Sequence, residues 1–206
     1  MGIVTRQILY SMPKPEIIYN CGPNTGGLLL ASNRLFLWTD YDQVILEFDA
    51  QWLSTNSSDG RVLAITGTST NFYVATVQRA FYWVFNDSLS TGSTSSVVAS
   101  NNVKYKMRFV FDITGGTIYL TRTQLSDGTV TNWTKSAEAS KYTGLGTESF
   151  SIGIRGDQKN KNTMYIWKNS ILLQRVKNGV TETVWKGMTS TPGVEYIVNG
   201  ATIVTL

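Results

Sequence analysis

The sequence predicts an all-β fold, an antiparallel two-layer sandwich. Three observations carry this: helical spacing is almost absent, short segments alternate apolar and polar side chains, and glycine-containing turns separate them. No window of a dozen residues repeats apolar side chains at intervals of three and four. Thr, Ser, Asn, Gly, Val, Ile and Tyr dominate, which favours pleated strands and turns. The chain has 206 residues, 42% hydrophobic and 12% aromatic, enough apolar surface for one undivided sandwich.

Residues 1–27 hold three of the four prolines (Pro13, Pro15, Pro23) and end in CGPNTGG. They read as an extended N-terminal arm ahead of a sandwich domain spanning 28–206. The arm either docks on a partner, through Ile8, Tyr10, Ile17 and Tyr19, or forms a first strand with a long connection behind it. Strands are then expected at Arg34–Trp38 and Gln43–Trp52. In the second, Leu46, Phe48, Ala50 and Trp52 point one way and Glu47, Asp49 and Gln51 the other, because side chains alternate along a strand.

Further strands are expected at Val62–Thr66, Phe72–Val77 and Phe81–Phe85. A long polar loop follows over 86–102, NDSLSTGSTSSVVASNN, the sort of connection on which binding is often placed. KYKMRFVFD, 104–112, shows the clearest alternation. Tyr105, Met107, Phe109 and Phe111 share one face and Lys104, Lys106, Arg108 and Asp112 the other, with Val110 the apolar exception. Gly115-Gly116 supplies the positive φ of a tight hairpin, and a strand returns through Ile118 and Leu120. Asp127-Gly128 turns the chain again. The last strands fall at Phe150–Ile154, Met164–Lys168, Ile171–Val176, Val194–Val198 and Thr202–Thr205.

The formal net charge is +4, and the cations are scattered. Loose groups at Lys104/Lys106/Arg108 and Lys159/Lys161 lack the density of a nucleic-acid stripe, so no nucleic-acid partner is expected. One cysteine, Cys21, rules out an intrachain disulfide. No apolar run is long enough for a membrane-spanning helix, and the opening MGIVTRQILYSMPKPE lacks the apolar stretch of a signal peptide. A soluble protein made in the cytoplasm is expected.

Glu47, Asp49 and Gln51 pose the main chemical question. Two carboxyl groups on one face of a strand can cleave a glycosidic bond, but the third position carries an amide, which cannot protonate a leaving oxygen. The chain contains no histidine, which removes Ser-His-Asp and Cys-His catalysis and histidine-based zinc sites. No phosphate-binding glycine loop of the nucleotide type occurs. The expectation is a non-enzyme. Aromatic rings offer another chemistry, because a ring face stacks on the apolar side of a sugar. Tyr73, Tyr82 and Trp133 are the candidate exposed carbohydrate-binding rings.

Three segments carry a family likeness. QVILEFDAQW (Gln43–Trp52), VKYKMRFVFDITGGTIYLTR (Val103–Arg122) and ESFSIGIRGDQKNKNTMYIWKNSILLQRV (Glu148–Val176) occur in the order expected of concanavalin A-like, or laminin-G-like, jelly rolls. The chain from about Leu28 onward resembles that family. Its tail, MYIWKNSILLQRV followed by PGVEYIVNGATIVTL, is similar to jelly-roll modules of phage virion proteins. The resemblance implies a non-catalytic virion structural protein that decorates a head or tail or tips a fibre. Its implied partners are other virion proteins and host-surface polysaccharide, and a homo-oligomer is expected, with a trimer as the guess. Virion proteins of this kind are made in the host cytoplasm. The alternatives are a carbohydrate-binding lectin module and a degenerate glycosidase. Relatives of this fold often hold calcium, for which Asp40 and Asp42 or Asp157 are the candidates. Neither set has a recognised ligand spacing, so no cofactor is expected.

Overall fold

The computed structural model describes residues 16–22, 26–53, 60–68, 70–77, 80–85, 99–155, 158–159, 163–187 and 193–205. Two antiparallel sheets are packed face to face. Among the described residues the larger has nine strands and is organised around β3 (Gln43–Trp52). Beside β3 lie β7 (Lys104–Asp112), β8 (Thr117–Gln124) and β9 (Val130–Ser136), in that order. The other side of β3 forks. Its second half pairs with β13 (Met164–Trp167), followed outward by β1 (Ile17–Cys21) and β17 (Thr202–Thr205). Its first half pairs with β14 (Leu172–Lys177), followed by β15 (Val180–Lys186).

The second sheet has six strands: β16 (Tyr196–Asn199), β2 (Gly27–Leu30), β10 (Ser149–Ile152), β4 (Gly60–Thr66), β5 (Asn71–Val77) and β6 (Ala80–Phe85), in that spatial order. A short ribbon joins β11 (Ile154–Arg155) to β12 (Gln158–Lys159).

Sequence alternation explains the inner faces. Every second residue of β3 is buried, from Val44 to Trp52, and β7 buries Tyr105, Met107, Phe109 and Phe111. These meet Phe72, Val74, Phe150 and Ile152 of the facing sheet in one continuous core. Trp38, Trp52 and Trp185 are fully buried within it. Each such ring contributes about 1.5–3 kcal/mol by leaving water. Gly116, with φ at 65°, makes the β7–β8 turn, and the Gly115 N–H donates to Asp112 Oδ1 at 2.9 Å.

Three expectations need correction. For the described part of residues 1–27 the arm gives way to the other expectation, a first strand: β1 lies inside the large sheet, and Ile18 and Cys21 are wholly buried. Residues 1–15, including Ile8 and Tyr10, lie outside the described residues. The strand expected at Arg34–Trp38 is replaced by two 3-10 turns, Ser32–Arg34 and Trp38–Asp40. Residues 35–37 belong to no strand among the described residues, while Phe36 and Trp38 are buried in the core. Trp38 reaches Phe111, Tyr142 and Phe150 by ring contacts, while its neighbourhood closes local backbone bonds such as Tyr41 N–H to Trp38 C=O. Finally β2, β9 and β15 form where no strand was expected.

Candidate functional site, a groove where the large sheet forks

β13 and β14 cannot both pair with the middle of β3. The chain between them turns through Lys168–Ser170, and the Asp49 N–H is left without a strand neighbour on that side. Ser170 solves this: its Oγ accepts from the Asp49 N–H at 2.7 Å and donates to the Trp167 C=O at 2.7 Å. A backbone amide in a part-buried position needs such a partner. Gly187 is required beside this turn, since a Cβ there would stand 1.7 Å from the Lys168 carbonyl oxygen.

The fork opens an outward-facing groove of about 440 Å³. That volume lies within the usual range of small-ligand sites, roughly 300–1,000 Å³. Glu47 and Asp49 of β3, Lys104 and Lys106 of β7, Trp167, Asn169, Ser170, Leu172 and Lys186 line it, together with Glu16 and Ile171. The groove's charged rows follow from strand register. Glu47 lies opposite Arg108, Asp49 opposite Lys106, and Gln51 opposite Lys104. Arg108 Nε donates to Glu47 Oε1 at 2.8 Å, and Lys104 Nζ lies 3.7 Å from Asp49 Oδ2. The same ammonium sits 3.9 Å above the centre of the Trp167 ring, whose indole N–H donates to Glu16 Oε2 at 2.7 Å. Burial raises the Asp49 carboxyl above its ordinary range, while Lys104 and Lys106 pull it back. Its Oδ1 is buried without a hydrogen-bond partner among the described residues.

The question posed by Glu47, Asp49 and Gln51 is thereby answered at the level of geometry. They form the outer row of β3, as alternation predicted, and each acid faces a cation on β7. Sequence reading found this row but not the groove beside it. Trp167, Asn169, Ser170 and Lys186 arrive only through the fork. The visible signal was the matching cation row of KYKMRFVFD.

The expected rings sit elsewhere. Tyr73 is 8% exposed and packs with Ala64 and Ala75, so its expected exposure is corrected. Trp133 lies on the core-facing side of β9, half-buried, with the Arg122 guanidinium 5.6 Å from its ring centre. It sits opposite Leu120, a core residue, which turns it inward rather than out to solvent. Tyr82 belongs to β6, and its side chain lies outside the described residues. Tyr19, expected to contact a partner, is instead a core residue, because its hydroxyl bonds that of Tyr196 across the sandwich. Ile17 is half-buried in β1.

For calcium, Asp42 is already engaged. Its Oδ2 accepts from the Asn178 N–H at 2.6 Å, and its Oδ1 faces Thr114 Oγ1 at 3.4 Å, fastening two turns. Asp157 lies outside the described residues. Among the described residues no group of three His, Cys, Asp or Glu assembles as a metal site, and no helix is long and apolar enough to cross a membrane.

No protein-family model matches the chain, and no curated protein sequence does. Solved structures do. The LG1-3 region of the laminin alpha2 chain matches with a TM-score of 0.56 at 11% identity, over 91% of this chain and 34% of that one. Basic winged bean lectin, solved with Tn-antigen, matches with a TM-score of 0.44 at 14% identity, over 63% of this chain and 69% of the lectin. The alginate lyase AlgAT5, of polysaccharide lyase family 7, gives 0.42 at 10% identity, over 65% and 59%. The chain thus spans about a third of the laminin fragment. Identity this low speaks to fold and not to activity. With the two stacked antiparallel sheets and the laminin likeness together, the chain has the concanavalin A-like jelly-roll fold.

Proposed function

We propose that the chain is a non-catalytic carbohydrate-binding module and that the groove at the fork of the large sheet holds the saccharide. The carrying observation is the groove's mixed chemistry. A sugar presents hydroxyls that both donate and accept, around a ring with apolar C–H edges. Asp49 and Glu47 supply acceptors, Lys106, Asn169 and Lys186 supply donors, and Leu172 with the margin of Trp167 supplies an apolar strip. The two carboxylates suit binding better than hydrolysis. Glu47 is held by Arg108 and Asp49 by Lys104, and the third position of the row is the amide of Gln51.

The test is a glycan array probed with the full chain and with Leu172→Trp, which fills the groove from its floor. Binding by the native chain and at least tenfold weaker binding by a variant that still melts cooperatively supports the reading. Undiminished binding by the filled variant moves the site elsewhere.

A virion setting, with other virion proteins as partners and a homo-oligomeric state, stays a proposal resting on the C-terminal sequence resemblance. Mass spectrometry of purified particles tests it, and absence of the chain from them removes it.

A further inference from the structure

We infer that the saccharide held in this groove is an acidic one, with a carboxylate or sulfate group lodged between Lys106 and Lys186. This rests on the groove being the sugar site. Three lysines and Arg108 face three carboxylates, one cation more than the acids. Arg108 is spent on Glu47 at 2.8 Å, and Glu16 accepts only the neutral Trp167 indole N–H at 2.7 Å, which leaves its charge in place. Lys104 is spent as well, between Asp49 and the Trp167 ring. Among the described residues, Lys106 and Lys186 make no hydrogen bond or ion pair, although the Asp49 carboxylate feels the charge of Lys106.

Register places these two ammonium groups on opposite banks. Lys186 of β15 faces Leu172 of β14, Leu172 faces Glu47 of β3, and Glu47 faces Arg108 of β7, two residues along from Lys106. Their backbones are three strand spacings and two residues apart, roughly 16 Å. Two flexible lysine side chains reaching inward from that separation leave room between them for an anionic group on a sugar ring. An ion that meets two ammonium groups in a partly sheltered groove gains charge-assisted hydrogen bonds, which are about twice as strong as neutral ones. Among the described residues, a neutral sugar in the same place leaves Lys186 without an ion pair and Lys106 with only the charge of Asp49.

The experiment measures binding by calorimetry to two matched pairs: an oligogalacturonate with its methyl ester, and a sulfated galactan with its desulfated form. The native chain is compared with Lys106→Ala, Lys186→Ala and the corresponding arginine variants, each checked by thermal melting. The expected result is at least tenfold tighter binding of the acidic member of a pair. Each alanine variant loses roughly tenfold for that member and little for the neutral one. Arginine restores binding, and added salt weakens it. Equal binding of acidic and neutral members, or equal losses on both, overturns the inference and leaves the groove as a neutral-sugar site. Binding of inorganic sulfate as tight as that of the sulfated sugar also overturns it, by making the site a plain anion pocket. Failure of every saccharide to bind removes the carbohydrate reading together with the inference.

Discussion

The hydroxyl groups of Tyr19 and Tyr196 lie 2.5 Å apart and join the two sheets through the interior. Tyr19 belongs to β1 in the large sheet and Tyr196 to β16 in the small one, 177 residues later in the chain. Both are almost wholly buried, and their rings meet edge to face with centres 6.0 Å apart. Neither hydroxyl reaches bulk solvent. Removing one leaves the other desolvated and unpaired, which costs about 1–3 kcal/mol, while removing both costs less than the sum. Tyr19→Phe and Tyr196→Phe are therefore each expected to destabilise, and the double variant to lie well short of additivity in urea melts. Strict additivity would show that the two hydroxyls do not depend on each other.

Alkaline pH should unfold the protein through the same region. Burial raises the Tyr19 phenol above its ordinary 10.0 and pushes the Cys21 thiol up from 9.0 to about 12. For both groups the folded state holds the proton more tightly than the unfolded state. Their contribution is complete below the unfolded values and is lost as pH rises above them. Stability should be flat up to about pH 9 and then fall, at a limiting slope of about 1.4 kcal/mol per pH unit for each group that has begun to titrate. Cys21→Ala is expected to move the onset from near pH 9 to near pH 10, measured by denaturant melts across the alkaline range. An unchanged onset would mean that the thiol does not govern it.

How far the sequence foretold this arrangement depends on where each element sits. β3 and β7 appear at the residues expected, Gln43–Trp52 and Lys104–Asp112, because each has one face in the core and one outside. β9 was missed since it carries few apolar side chains, and its residues alternate only between exposed and half-buried. β15 is mostly exposed, and only Val184 and Trp185 are buried. β1 lies behind a proline-rich stretch, which suggested an arm. The candidate site divides in the same way. The acid row and its facing cation row are local alternation, whereas Ser170 reaches Asp49 across 121 residues. No local pattern reports a fork in a sheet.

Asp49 should cost stability at neutral pH. Its carboxyl is raised chiefly by burial, so the folded state disfavours the ionised form in spite of Lys104. The sign follows: any stabilisation from this group is present below its ordinary 3.8 and is lost as pH rises through the higher folded value. Asp49→Asn removes the buried charge and keeps the shape. It is expected to be neutral to about 1 kcal/mol more stable at pH 7, with the gain gone near pH 3. Measured destabilisation at pH 7 would instead make the Lys104 pair the dominant effect.

Gly187 should be intolerant of any side chain. A Cβ there meets the Lys168 carbonyl oxygen at 1.7 Å, a backbone atom that cannot swing away. The Lys168–Ser170 turn would have to shift, and with it Ser170 and the floor of the groove. Gly187→Ala is expected to cost about 3 kcal/mol or more. Surviving folded protein should also bind saccharide less well, since Asn169 and Ser170 move with the turn. Near-native stability would show that the turn is more pliable than its contacts suggest.

Gln51→Glu gives the row three acids and tests the hydrolytic alternative directly. The new carboxylate would face Lys104 on one side and Tyr165 on the other. Lys104 already answers Asp49 at 3.7 Å, so the added acid shares a committed cation. A general acid must hold a proton near neutral pH, which takes burial or an unanswered like charge. Gln51 is half-buried and would be opposed by an ammonium, conditions that keep a glutamate ionised. The variant is expected to release no reducing ends from any oligosaccharide that the native chain binds, and to change stability by no more than about 0.5 kcal/mol. Measurable turnover by the variant would identify the row as the remnant of a catalytic strand.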